Sequence, residues 1–338
     1  MMAWLCWILA AQAAEHRVVR AGETIESIAV SLGNPALAAE IRSLNHIAAG
    51  ANPPPGAVLH LPGGATASSD QDSEVLAVEG HGTATLPGQK DPITLAPRQK
   101  LPIGSQVCTD AESFATIRLA RDPSSYDHDD VSLLPNTCLT VVGAAAAPGR
   151  RSSVIAVSEG AVTVIGTENT PGNVIVQTPV ATTSGDEGGF RVTLEPGATR
   201  TEAVTAPVAV YAQGAEVVLE AKQGVRVREG EAPATPRGLL AAGALFLPEE
   251  GTPLRWPDFH WQSVSRALGY RVQIATGPEF SEIVAQVDVP FPEWEPDYLL
   301  LPYRVAGYWW RVTPLDRFGF EGTPSTGRRL RVPAGVGP

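Results

Sequence analysis

Five side chains able to bind a cation fall within nine positions: Asp122, Asp127, His128, Asp129 and Asp130. Carboxylate oxygens are the donors that calcium takes, but the twelve-residue loop with its central glycine is missing. The run is therefore expected to be a solvated loop, and no metal is assigned. Other chemistry also lacks its spacings. The chain has no His-Glu-x-x-His, no Gly-x-Ser-x-Gly and no Gly-x-x-x-x-Gly-Lys-Ser/Thr. Its six His are scattered, none beside a Cys or Ser in a known catalytic order. The expectation is a chain with no catalytic residues and no cofactor.

Cysteine chemistry reads as structural. Met1 to Ala14 resemble a signal peptide: an apolar run Trp4-Leu5-Cys6-Trp7-Ile8-Leu9-Ala10, then the small-residue site Ala11-Gln12-Ala13. Removal of residues 1–14 on export leaves Cys108 and Cys138 as an even pair. In an oxidising compartment a disulfide is the default for such a pair, closing a loop of about 30 residues for roughly 3 kcal/mol. Two separate buried thiols are the alternative. A net charge of −11 with dispersed Lys and Arg leaves no electrostatic footprint for nucleic acid. No later stretch is long and apolar enough to span a bilayer.

The elements that position side chains change character along the 338 residues. Near the N-terminus, Val18-Val19 make a short strand before Ala21-Gly22. Thr24 is a suitable helix N-cap, and Ile25, Ile28, Ala29 and Leu32 repeat on one helical face up to Gly33. Asn34-Pro35 opens a second helix with Leu37, Ile41 and Leu44 as its apolar face and Asn45 at its end. After Pro53-Pro54-Pro55-Gly56, Val58 to Leu61 reads as a returning strand. The order is βααβ.

Val19-Arg20-Ala21-Gly22-Glu23-Thr24-Ile25-Glu26-Ser27-Ile28-Ala29, together with Asn45 and Pro55-Gly56-Ala57-Val58-Leu59-His60-Leu61-Pro62, resembles a LysM domain over residues 15–62. The resemblance implies binding of N-acetylglucosamine-containing glycan, chiefly peptidoglycan, in a shallow groove between two loops. Carried over by position, the glycan-binding residues are Gly22, Glu23, Thr24 and Ile25, with Asn52 and Pro53 opposite. A glycine admits a sugar close to the backbone, and backbone amides bond an acetamido group directionally. Glu23 stands where Asp is commoner, Ala57 where Gln is usual, and Pro53 where an aliphatic residue is usual.

Residues 63–74 are a small, polar linker. From 75 to 240 short runs such as Val75–Val78, Ala115–Leu119, Leu139–Val142, Val162–Ile165, Val174–Val176 and Val208–Tyr211 are separated by Gly or Pro, which predicts an all-β unit. Leu101 to Thr109, Gln177 to Ala181, Gly189-Phe190-Arg191-Val192 and Val217 to Val227 resemble a FecR-type domain. Five of the seven Trp fall in the last unit, 247–333. There Trp261, Gly269 to Ile274 and Tyr308 to Val312 alternate as strands do, and the stretch resembles a fibronectin type III-like β-sandwich. Trp261, Tyr270 and Trp310 suit its core; Trp294 and Trp309 suit its surface.

The fold class expected is mainly β and multidomain. The function expected from these resemblances is a non-enzymatic peptidoglycan-binding protein of the periplasm or cell envelope of a Gram-negative bacterium, with an envelope protein as a further partner. A periplasmic sensor or regulator that contacts a membrane protein through the FecR-like part is the alternative. A divergent cell-wall hydrolase is the least favoured reading.

Overall fold

The computed structural model describes residues 15–19, 22–31, 34–62, 72–119, 129–147, 150–165, 172–185, 188–253, 258–296, 301 and 307–331. The signal-like segment 1–14, most of the linker, and Leu32, Gly33, Asp122, Asp127 and His128 lie outside the described residues. Among the described residues the chain is mainly β, organised in several sheets, with two short helices. None of the described helices is long and apolar enough to cross a membrane.

The first unit follows the order expected. Strand β1 (Glu15–Val18) pairs antiparallel with β2 (Val58–Leu61), Val18 opposite Val58. Helices α1 (Ile25–Ser31) and α2 (Leu37–Leu44) lie between them in the chain. Thr24 and Ser27 cap α1 reciprocally: the Ser27 amide donates to Thr24 Oγ1 at 3.1 Å and the Thr24 amide to Ser27 Oγ at 2.9 Å. Val19, Ile25, Ile28, Ala29, Ile41, Leu59 and Leu61 form one buried core.

Two details differ from the sequence reading. α2 begins at Leu37 with Ala36 as its N-cap, because Asn34 Oδ1 accepts the Ala36 amide and closes a separate turn first. Leu44 is exposed: it sits past the turn of helix that faces the core, which Ile41 alone fills completely. Asn45 closes α2 and ties it to β2. Its Nδ2 donates to the carbonyls of Ile41 and His60, each at 2.7 Å, and its Oδ1 accepts the His60 amide.

Two nine-stranded sheets form the central unit. The chain crosses between them repeatedly, mostly after a pair of strands, so the inner faces of both sheets fill one core from Val75 to Val227. Pairing is antiparallel except where Arg151–Ala156 runs parallel to Gly172–Gln177. The Val-, Leu- and Ile-rich runs read from the sequence fall on these strands. A disulfide joins Cys108 to Cys138, which face each other on neighbouring strands.

The last unit is a β-sandwich of a three-stranded and a five-stranded sheet. Phe259, Trp261, Tyr270, Tyr308 and Trp310 anchor its core. Trp294 is half-buried and stacks on Phe259, with centroids 5.0 Å apart, so it belongs to the core margin rather than to an open face. Trp309 is half-buried as well.

The units are packed together. Val18 and Val58 of the first unit meet Val154, Ile175 and Tyr211 on one sheet of the central sandwich. Against the other sheet the last unit places Phe320 on Gly224, and Ile283 beside Phe114 and Leu134.

Candidate functional site

The groove residues lie on the two loops flanking the helices of the first unit. Gly22 is exposed, with φ +78° and no atom within 4 Å of where a Cβ would stand. A left-handed backbone in open space is what glycine supplies at least cost. Asn52 on the facing loop is exposed, and its Oδ1 accepts the Ile25 amide at 3.1 Å. That bond joins the loops and satisfies one of the free amides at the start of α1. Pro53 is half-buried behind Asn52.

Glu23 is held by Arg17, in an ion pair whose side chains are each 22% exposed. Thr24 is half-buried and uses its hydroxyl for the helix cap. Ile25, on the apolar face of α1, has a side chain that is 0% exposed and fills the core. It therefore positions the groove through its amide and offers no apolar cover to a ligand. The structure brings Gly22, Glu23, Thr24 and Asn52 to one side of the unit, and docking on the central sandwich uses Val18 and Val58 instead.

The acidic run 122–130 behaves differently from a solvated loop where it is described. Asp129 and Asp130 are both buried, and Asp130 accepts two hydrogen bonds from Arg118, at 2.9 and 3.1 Å. Asp130 is thus an ion-pair partner across neighbouring strands, which removes it from a cation site.

Three groupings had no clear signal in the sequence. Asp258, His260 and Glu295 bring one potential ligand atom each to within 4.8 Å of one another. They are largely exposed, and His260 Nε2 is already bonded to Asp258. The pattern Asp-x-His was visible, but Glu295 arrives only through the pairing of Phe259 with Trp294.

The second grouping is a buried ionic seam between the central and last units. Arg191 donates to the backbone carbonyls of Glu321 and Gly322, at 2.7 and 2.6 Å, and pairs with the Glu321 carboxylate at 3.3 Å. Arg271 also pairs with Glu321, and with Asp288 at 2.8 Å. Arg200 pairs with Glu202 at 2.7 Å and with Glu195. Glu202 in turn accepts the Glu321 amide at 3.2 Å.

Burial penalises the charged forms of Glu202 and Glu321, and the outcome depends on the partners. Burial pushes Glu202 up, more than Arg200 and Arg191 pull it down. Glu321 is as deeply buried, but Arg271, Arg191 and Arg200 together hold its carboxyl down at about 2. Arg311, buried and close to the Arg191 charge, is lowered to about 9. Its Nε donates to Gln273 Oε1 at 2.9 Å, and its guanidinium lies 4.1 Å from the Phe280 ring centre. These ion pairs hold the central and last units together. The third grouping is Arg237, Arg266 and Arg317 around a cavity.

No protein-family model matches the chain. No curated protein matches it either. Among solved structures it is similar to two crystal structures of a candidate anti-sigma factor from Parabacteroides distasonis ATCC 8503, at 1.65 and 2.50 Å resolution. Identities are 14% and 15%, with TM-scores of 0.31 and 0.32. The alignment covers 39% of this chain and 59% of that one, so the chain spans less than two thirds of the neighbour's length.

Proposed function

We propose that the chain is a non-enzymatic envelope protein that binds N-acetylglucosamine-containing glycan, chiefly peptidoglycan, through the groove between residues 22–25 and 52–53. The observation that carries this reading is the Ile25 amide to Asn52 Oδ1 bond of 3.1 Å, which sets the two loops face to face. With that acceptor occupied, the Nδ2 hydrogens of exposed Asn52 are left for an acetamido carbonyl. Gly22, lacking a side chain, lets the sugar reach the loop backbone. The central and last β units then act as a scaffold that offers surface to an envelope protein partner.

Retention of the full-length protein on purified peptidoglycan sacculi tests the proposal. Binding is expected to be competed by soluble chito-oligosaccharide, which also shifts the amide resonances of Gly22, Thr24 and Asn52. Absence of both retention and shifts would overturn it.

A further inference from the structure

A second cavity opens at the seam between the central and last units, far in sequence from the groove residues. Its volume is about 530 Å³, and its walls include Arg237, Leu240, Arg266, Leu268, Asp316 and Phe318, with Arg317 beside them. Arg237 belongs to the short strand Arg237–Gly238 at the edge of the central sandwich. Arg266 comes from the turn before strand Ala267–Ala275 and Leu268 from that strand; Asp316 ends strand Gly307–Asp316, and Arg317 and Phe318 form the turn after it.

The charge here runs against that of the chain. Among the described residues, Arg237, Arg266 and Arg317 pair with no carboxylate. Asp316, the one acid of the wall, is committed: its Oδ1 accepts the amides of Phe318 and Phe320, at 2.8 and 2.9 Å. The guanidinium carbons of Arg237 and Arg317 lie 4.1 and 4.8 Å from the Phe318 ring centre. Stacking on one ring holds two positive forks close together despite their repulsion. Arg266 has φ +71°, a left-handed backbone that glycine would adopt at less cost. Leu268 is 68% exposed at the same place.

We propose that this cavity binds a small oxyanion ligand, a carboxylate or phosphate gripped by Arg237, Arg266 and Arg317 and carried on an apolar body that lies against Leu240, Leu268 and Phe318. Guanidinium forks match both anions with paired hydrogen bonds. The mixture of apolar wall and a few converging polar groups, at a junction between units, is the usual composition of a small-molecule site. This site is independent of the glycan groove and shares no residue with it.

Calorimetric titration of the full-length protein with hippurate and with phenyl phosphate tests the proposal, with neutral hippuramide as control. Binding of either anion, weakened by added salt and absent with hippuramide, is expected; the preferred anion identifies the natural head group. Arg237→Gln and Arg317→Gln should each lower affinity about tenfold. Arg266→Gly should do the same without lowering the melting temperature, because glycine relaxes the backbone there. No binding of either anion at millimolar concentration, or binding undiminished in all three variants, would overturn the proposal.

Discussion

Ile25 and Asn52, 27 positions apart, are joined by one hydrogen bond from the Ile25 amide to the Asn52 side-chain oxygen. That bond makes Asn52 a strut of the first unit and, in the proposed glycan groove, its polar tip. Asn52→Ala is expected to cost about 1 kcal/mol in stability, the usual worth of such a bond. Asn52→Asp keeps the acceptor and loses the Nδ2 donor. It should therefore preserve folding while reducing retention on sacculi several-fold. Comparing the melting temperature and pull-down of both variants separates the two roles.

Gly56 lies against Tyr211 where the first unit meets the central sandwich. A Cβ there would stand 2.5 Å from Tyr211 Cβ, and its φ of +88° disfavours side chains independently. Gly56→Ala should loosen the docking at a cost of about 1–3 kcal/mol, the range for overpacking a close contact. Faster amide exchange at Val18 and Val58, with exchange in the last unit unchanged, is the expected signature.

Glu321 makes the seam sensitive to acid. Its folded carboxyl sits at about 2 against an ordinary 4.5. The unfolded chain therefore binds the proton more tightly, and stability rises with pH across that window. The contribution is complete above about pH 4.5 and is lost as pH falls through about 2. Glu202 acts in the opposite sense: its raised carboxyl weakens the fold as it ionises. Glu321→Gln would leave Arg191 and Arg271 buried beside a neutral partner, at about 3–5 kcal/mol. Urea midpoints measured across this pH range should slope in the parent protein and flatten in the variant.

Arg311 is expected to behave in reverse. Its guanidinium is buried near the Arg191 charge and is lowered to about 9, so burying it charged opposes folding at neutral pH. Arg311→Met, which keeps contact with Phe280, should stabilise the protein by about 1 kcal/mol. Thermal unfolding at neutral pH reads this directly.

The Cys108–Cys138 bridge closes a loop with a sequence separation of 30. Reduction, or replacement of both by Ser, should cost about 3 kcal/mol through the freedom returned to the unfolded chain. Denaturant unfolding with and without reductant measures it.

The first unit was legible because its helices carry their apolar residues at helical spacing and its cap residues at the right offsets. Ile25, Ile28 and Ile41 are buried as that spacing requires. The central strands were legible as short runs rich in Val, Leu and Ile separated by Gly or Pro. What stayed hidden was contact between units. The strand Ala198–Ala203 reads Ala-Thr-Arg-Thr-Glu-Ala and is buried along its whole length, charges included. Nothing local signals this, since Glu202 is covered by a segment 119 positions later. Leu44 failed in the opposite direction: helical spacing marked it apolar-facing, but the small core ends before it. The loops around Gly22 and Asn52 were legible from their turn residues, whereas the bond from the Ile25 amide to Asn52 Oδ1, across 27 positions, was not.

Val18 and Val58 seat the first unit against Val154, Ile175 and Tyr211 on one broad sheet, while Arg191 and Glu321 lock the far sandwich onto the other. A molecule fastened at both joints cannot swing like beads on a thread. Once anchored to a glycan strand it would stand at a set angle, and whatever its distant end meets would be met at a fixed height above the wall.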